Sequence, residues 1–178
     1  MKHNCIKNIT LCALFTAILA VCAQIAIPAP SGISLTLQTF GVALCGVALG
    51  AGRGVLAVIA YLALGLAGAP VFSSFTGGAA VFMGPTGGFL IGFIPLCLSC
   101  GVCCYVNHKI FKIIFPAIGL LLCHALGIVV FSVISNTDLL KTVMAVSLPY
   151  MAKDIVAVAA AFYMGGKISR QINFIGKH

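Results

Sequence analysis

The sequence predicts an all-α integral membrane protein with six transmembrane helices, on three observations. Of its 178 residues 62% are apolar and only 7% are charged, and the mean hydropathy of +1.21 lies far above that of a soluble domain. Between Lys7 and Lys109 the single ionised side chain is Arg53, so two long uncharged stretches must be housed away from water. At roughly 30 residues per span and connection, the length suits about six helices in a single domain and leaves no room for a soluble catalytic one. A water-soluble enzyme is excluded.

The spans follow in order. Span one runs from about Ile9 to Ile27 and stops at Pro28-Ala29-Pro30-Ser31-Gly32, which cannot continue a helix. Spans two and three, about Leu35 to Leu49 and Val55 to Ala67, are short and flank the turn Gly50-Ala51-Gly52-Arg53-Gly54. The uncharged, glycine-rich and aromatic segment from Gly68 to Gly84 does not read as a solvated loop. Span four takes about Pro85 to Val106, span five about Ile113 to Ile134, and span six about Thr142 to Met164.

Ten Lys and Arg against Asp138 and Asp154 give a formal charge of +8. The cations form no stripe suited to nucleic acid; they sit in short clusters between apolar runs, as cations that fix a topology do. Lys2, Lys7, Arg53, Lys109, Lys112, Lys167, Arg170 and Lys177 all fall on one side of a six-span arrangement. The other side receives the Pro28 to Ser34, Gly68 to Gly84 and Asn136 to Lys141 loops, which together hold only Asp138 and Lys141. Both termini are therefore predicted to be cytoplasmic.

Eight of the nine cysteines, Cys12, Cys22, Cys45, Cys97, Cys100, Cys103, Cys104 and Cys123, lie inside apolar runs and read as small buried hydrophobes. Cys97, Cys100 and Cys103 have a cluster-binding spacing, but the same spacing is one face of a helix, so no metal is expected. Leu19-Ala20-Val21-Cys22 resembles a lipoprotein cleavage box, but Val21 is too large for it and the run has the length of a span. With no Glu, no His-Glu-x-x-His, no Gly-x-Ser-x-Gly and no Asp pair, catalytic constellations are absent.

Two regions can carry a binding function. Lys153-Asp154 sits near the middle of span six, where an unpaired charge costs several kcal/mol, so it needs an internal partner or a watery cavity. Adjacent helical side chains point about 100° apart, so at least one should face the bundle interior. Pro149, one turn earlier, removes a helical hydrogen bond and can open the helix there. His124, mid-span in span five, is a candidate polar neighbour. The second region is Gly68-Ala69-Pro70-Val71-Phe72-Ser73-Ser74-Phe75-Thr76-Gly77-Gly78, followed by Gly84-Pro85-Thr86-Gly87-Gly88-Phe89. Thr-Gly-Gly occurs twice; Gly77, Gly78 and Gly87 would bring backbone N–H groups to a ligand, with Phe72, Phe75, Phe82 and Phe89 as apolar walls. Gly84, Gly88 and Gly92 also form a small-xxx-small ridge for helix packing. No Walker motif is present. Ala13 and Ala17 in span one make an A-x-x-x-A pattern open to a second helix.

These segments, in this order, with Pro28-Ala29-Pro30, Leu35-Thr36-Leu37-Gln38-Thr39, Leu49-Gly50 to Arg53-Gly54 and Pro149 to Asp154, resemble the BioY-type biotin substrate-binding components of energy-coupling-factor (ECF) transporters over nearly the whole chain. The resemblance implies a multi-pass S component of a prokaryotic cell membrane that binds biotin from outside and docks on a transmembrane coupling subunit driven by two ATPase subunits. ATP would be used by those partners, and this chain would need no cofactor. It also implies Ala13 and Ala17 as the docking surface, the Pro28 to Ser34 loop as a lid, and Gln38, Thr76, Gly77, Gly78, Thr86 and Asp154 at the ligand. The full candidate set adds Phe72, Phe75, Gly87, Gly88, Phe89, His124 and Lys153. Where many relatives have Tyr, sometimes followed by Arg, this chain has Phe89-Leu90, and where they tend to have Lys three residues after the Asp it has Ala157; Lys153 is the candidate replacement cation. The competing readings are a self-sufficient secondary transporter or channel, with Lys153 and Asp154 as an ion relay, and a membrane thiol oxidoreductase on Cys100, Cys103 and Cys104. The first wants inverted repeats and more intramembrane titratable groups than the sequence holds, and the second a thiol pair of lowered pKa.

Overall fold

The computed structural model describes residues 2–29, 33–106 and 108–175. Helix α1, Lys2–Gln24, is followed by a two-stranded antiparallel ribbon, β1 (Ala26–Ile27) with β2 (Leu35–Thr36), pairing Ala26 with Thr36 and Ile27 with Leu35. Then come α2 (Gln38–Leu49) and α3 (Ala51–Leu66), a 3-10 turn at Ser73–Phe75, the one-turn helix α4 (Ala79–Phe82), α5 (Gly87–Val102) and a second 3-10 turn at Cys103–Tyr105. The remaining described elements are α6 (Phe111–Ser135), the short α7 (Leu139–Thr142), a π-helical turn at Val143–Ser147 and α8 (Leu148–Ile175).

Among the described residues four helical stretches, Cys5–Gln24, Gly87–Tyr105, Phe111–Ser135 and Leu139–Ile172, are long and apolar enough to cross a membrane, whereas Gln38–Leu49 and Ala51–Leu66 are shorter. The expected second span thus starts three residues late as helix, because Leu35 and Thr36 are spent on the ribbon. The third span extends back through the glycines to Ala51, with Gly50 at φ 80° making the tight corner between α2 and α3. Large apolar side chains such as Leu121, Val129, Val133, Ile155 and Val156 are exposed along α6 and α8, the reverse of a soluble bundle and the surface a lipid solvent requires.

α2 is buried on nearly every side and packs against α8, α5, α3 and α1, so it is the central post of the bundle. One stripe of α1, Phe15, Thr16, Leu19 and Ala23, faces that core at helical spacing. Thr16 Oγ1 donates to the Ala57 carbonyl at 3.0 Å and ties α1 to α3. α5 lies closest to α6: a methyl group added at Gly92 would stand 2.7 Å from Cys123 Cα, and one at Gly88 would collide with the Leu126 carbonyl oxygen. These two glycines of the expected ridge do pack on α6, whereas Gly84 meets only Ala80 and Val81 of its own segment. Cys97, Cys100 and Cys103 are buried in this core.

The cationic ends gather at one end of the bundle. Arg53 Nη1 donates to Asn8 Oδ1 at 3.3 Å, and Lys7 Nζ donates to the Ile172 carbonyl at 3.2 Å, so the start of α1, the α2–α3 corner and the end of α8 are neighbours. At the opposite end the Tyr150 hydroxyl donates to the Ile33 carbonyl and joins α8 to the loop that β1 and β2 close. Of the expected lid, Pro30, Ser31 and Gly32 lie outside the described residues, as does Lys177.

Candidate ligand-binding site

The end that carries the ribbon and the Tyr150–Ile33 bond holds a cleft of about 640 Å³ not filled by protein atoms, part of it continuous with the outside. The end of the first loop and β2 supply Ile33, Ser34 and Thr36; the start of α2 supplies Gln38 and Thr39; the glycine-rich segment supplies Phe72, Ser73 and Val81. Thr86, Phe89, Leu90 and Phe93 come from α5 and its cap, Cys123 from α6, and Tyr150, Lys153 and Asp154 from α8. Three phenylalanines and a ring of hydroxyls around one carboxylate and one ammonium fit a small ligand with an apolar body and a few polar edges.

Asp154 is 6% exposed and directed inward. Its Oδ2 lies 3.2 Å from His124 Nε2, and its Oδ1 lies 2.5 Å from Lys153 Nζ. A carboxylate only accepts, so Nε2 carries the imidazole proton and donates it to Asp154. Nδ1 is then the acceptor for the Ser147 hydroxyl, 3.1 Å away. Lys153 and Asp154 meet although the side chains of adjacent helical residues leave the axis about 100° apart. The same ammonium donates to the Thr36 carbonyl at 2.7 Å and so fastens α8 to the ribbon. Asp154 is thus both ion-paired and at the cleft wall.

A second network shapes the wall. Gln38 Nε2 donates to the Tyr61 hydroxyl at 2.6 Å, Thr36 Oγ1 donates to Gln38 Oε1 at 2.9 Å, and Tyr61 in turn donates to the Val71 carbonyl at 3.1 Å. Phe72 is buried edge-on to Tyr61, with ring centroids 5.4 Å apart. Gln24, at the end of α1, staples the glycine-rich segment: Nε2 donates to Phe72 O at 3.0 Å and Oε1 accepts the Phe75 N–H at 3.0 Å. That grip holds Ser74 and Phe75 at φ 57° and 56°, an unfavourable left-handed pair for residues with side chains.

Among the sequence candidates, Gln38, Phe72, Thr86, Phe89, Lys153 and Asp154 line the cleft. The others take different places. Phe75 is 72% exposed, turned outward by its left-handed backbone. Thr76 spends its hydroxyl on the Ser73 carbonyl at 2.8 Å. Gly77 and Gly78 shape the turn: Gly77 is tucked against the Ala69 carbonyl, and Gly78, at φ 94°, donates its N–H to Gly65 O at 2.7 Å. Gly87 packs on the Phe82 carbonyl and Gly88 on the Leu126 carbonyl, so these two glycines serve helix packing rather than presenting N–H groups to the cleft. His124, 2% exposed, stands behind the wall and reaches the cleft only through Asp154 and Phe89. Ala13 and Ala17 are exposed on the outer face of α1.

Sequence reasoning missed Thr39, Ser147 and Tyr150. The last two carried a readable signal, since Ser147, Tyr150 and Asp154 follow helical spacing and make one polar face. A larger gap between α6 and α8, about 1190 Å³, is lined by apolar side chains from Ile113 to Phe162 with Lys112 as its one charged group, and lacks the converging polar groups of the cleft.

Apolar helices around one small polar cleft define the class: a helical membrane protein with a site for a small solute. A model of the BioY family matches residues 1–174. The chain is 33% identical to the biotin transporter BioY of Rhodobacter capsulatus, over 93% of each chain. It is 36% identical to the biotin transporter BioY of Thermotoga maritima, over 83% of this chain and 87% of that one. The crystal structure of the S-component for biotin from an ECF-type ABC transporter superposes with a TM-score of 0.85 at 25% identity, covering 96% of this chain and 94% of that one. The chain belongs to the BioY family of transport proteins, which are not enzymes.

Proposed function

We propose that this protein is the biotin-capturing subunit of an ECF-type uptake transporter, a six-span protein of a prokaryotic cell membrane with both termini on the cytoplasmic side. The observation that carries this reading is the placement of Asp154, a buried carboxylate at the wall of an aromatic cleft in a chain that belongs to the BioY family. Biotin offers a ureido ring with two N–H donors and one carbonyl, a thioether ring and a valerate carboxylate. Asp154 accepts from a ureido N–H, and the Thr86 hydroxyl is the donor for its carbonyl, since Gln38 is committed to Tyr61 and Thr36, and Thr39 to Asp154. Phe72, Phe89 and Phe93 enclose the thioether ring, and Lys153, 26% exposed at the cleft edge, is the cation for the valerate.

Ligand enters from the end that carries the ribbon and the Tyr150–Ile33 bond. The exposed Ala13 and Ala17 face of α1 receives a transmembrane coupling subunit that works with two ATPase subunits. ATP is used there and not by this chain, which takes no cofactor.

Calorimetric titration of the full chain in lipid nanodiscs, without ATP, tests the reading. Biotin binds, and Asp154→Ala weakens binding by about 1.5–3 kcal/mol, the usual size of a charge-assisted hydrogen bond. No heat from the wild type, or equal affinity in the variant, contradicts it.

A further inference from the structure

Behind the cleft wall runs a chain of buried polar groups that ends on Asp154: Ser147 Oγ to His124 Nδ1 at 3.1 Å, and His124 Nε2 to Asp154 Oδ2 at 3.2 Å. Every ring atom of His124 able to bond is therefore committed, and the Phe89 ring meets the imidazole edge-on with centroids 5.9 Å apart. Asp154 Oδ1, by contrast, is fully buried and is held by the Lys153 ammonium 2.5 Å away, and the Thr39 hydroxyl also bonds to the carboxylate.

We infer that His124, set in its tautomer by Ser147, is a positioning residue that pins Asp154 by Oδ2 so that Oδ1 is the atom offered to a ligand N–H, which takes the place of Lys153. The π-helical turn Val143–Ser147 completes the device. Pro149 has no N–H for the carbonyl one turn earlier, and the widened turn before it directs Ser147 inward toward α6 rather than outward to lipid. Lys153, released from Oδ1, keeps the Thr36 carbonyl within reach and becomes free for an anionic group on the same ligand. The site then selects for solutes that bring a ring N–H and a carboxylate together, a selection that neither Asp154 nor Lys153 makes alone. This rests on the biotin reading above.

The two amide replacements of histidine separate positioning from packing. Gln places its amide nitrogen near the position of Nε2, and Asn near that of Nδ1. Biotin titrations of the full chain in nanodiscs, with thermal midpoints, are compared for wild type, His124→Gln, His124→Asn and His124→Leu. His124→Asn and His124→Leu lose about 10-fold or more in affinity, whereas His124→Gln stays within about 5-fold of wild type. Equal affinity in all four proteins, or the same loss in Gln as in Leu, overturns the inference. Should His124→Leu fail to fold, Ser147→Ala removes only the hydroxyl and lowers affinity about 3-fold at an unchanged midpoint; an unchanged affinity there overturns it. A wild type that binds no biotin refutes the functional reading instead. The positioning is then decided by the Asp154 carboxylate bands in infrared spectra, identified against Asp154→Asn: a shift in Leu and Asn but not in Gln upholds it, and no shift overturns it.

Discussion

At the scale of single residues the chain economises on charge. One carboxylate and one ammonium in the cleft neutralise each other, and on the proposed reading both exchange that pairing for a ligand. Removing Lys153 separates its two duties. Lys153→Met lowers the affinity for biotin but leaves that for biotin methyl ester nearly unchanged, so the preference for the acid collapses; competition titrations with the two compounds read this, and an intact preference shows that the valerate meets another group. The amphipathic logic of single positions explains what was legible beforehand. Asp154 stood out because a carboxylate at mid-span has few alternatives to an interior site. Thr76, Gly77 and Gly78 did not resolve in the same way, because a glycine that exposes its N–H to a ligand and one that bends a turn look alike in sequence. Ser74 and Phe75 made the difference: their left-handed backbone turns the segment so that Phe72 and Ser73 face the cleft and Phe75 faces away.

At the scale of elements, the short helices create the site. α2 has 12 residues and α3 has 16, so at 1.5 Å per residue neither covers the roughly 30 Å of hydrocarbon alone. The β1–β2 ribbon completes the course of the chain above α2, which non-helical backbone can do inside a bilayer only when shielded by protein or lining a watery cavity. Thr36, buried and at the cleft wall, meets both conditions. Apolar runs in the sequence marked all six long elements, but a run of apolar residues carries no signal that two of them will be strand, which is why the ribbon went unread. The α5–α6 contact was legible, since glycines four apart admit a second backbone. Gly92→Val drives side-chain atoms into Cys123 and costs about 1–3 kcal/mol by overpacking, seen as a lower thermal midpoint; Gly166→Ala, where a methyl group meets open space, leaves the midpoint alone. A Gly92→Val protein as stable as wild type would show that the two helices can part freely.

At the scale of the whole molecule, charge and shape agree. The hydrogen bonds of Lys7 and Arg53 bring the cationic ends together, and the cleft opens at the other end, the polarity a subunit needs if it takes solute from outside and meets ATPases within. In intact cells a membrane-impermeant maleimide labels Asn136→Cys directly but reaches the exposed native Cys5 only after permeabilisation; the opposite pattern would invert the topology. The central claim is that the small polar cleft beside Asp154, and not the larger apolar gap between α6 and α8, is the seat of biotin. An experimental structure with biotin bound tests this most directly. The account predicts density for the fused rings between Phe72 and Phe89 with a ureido nitrogen at Asp154 Oδ1; density in the α6–α8 gap, with the Lys153–Asp154 pair intact, would contradict it.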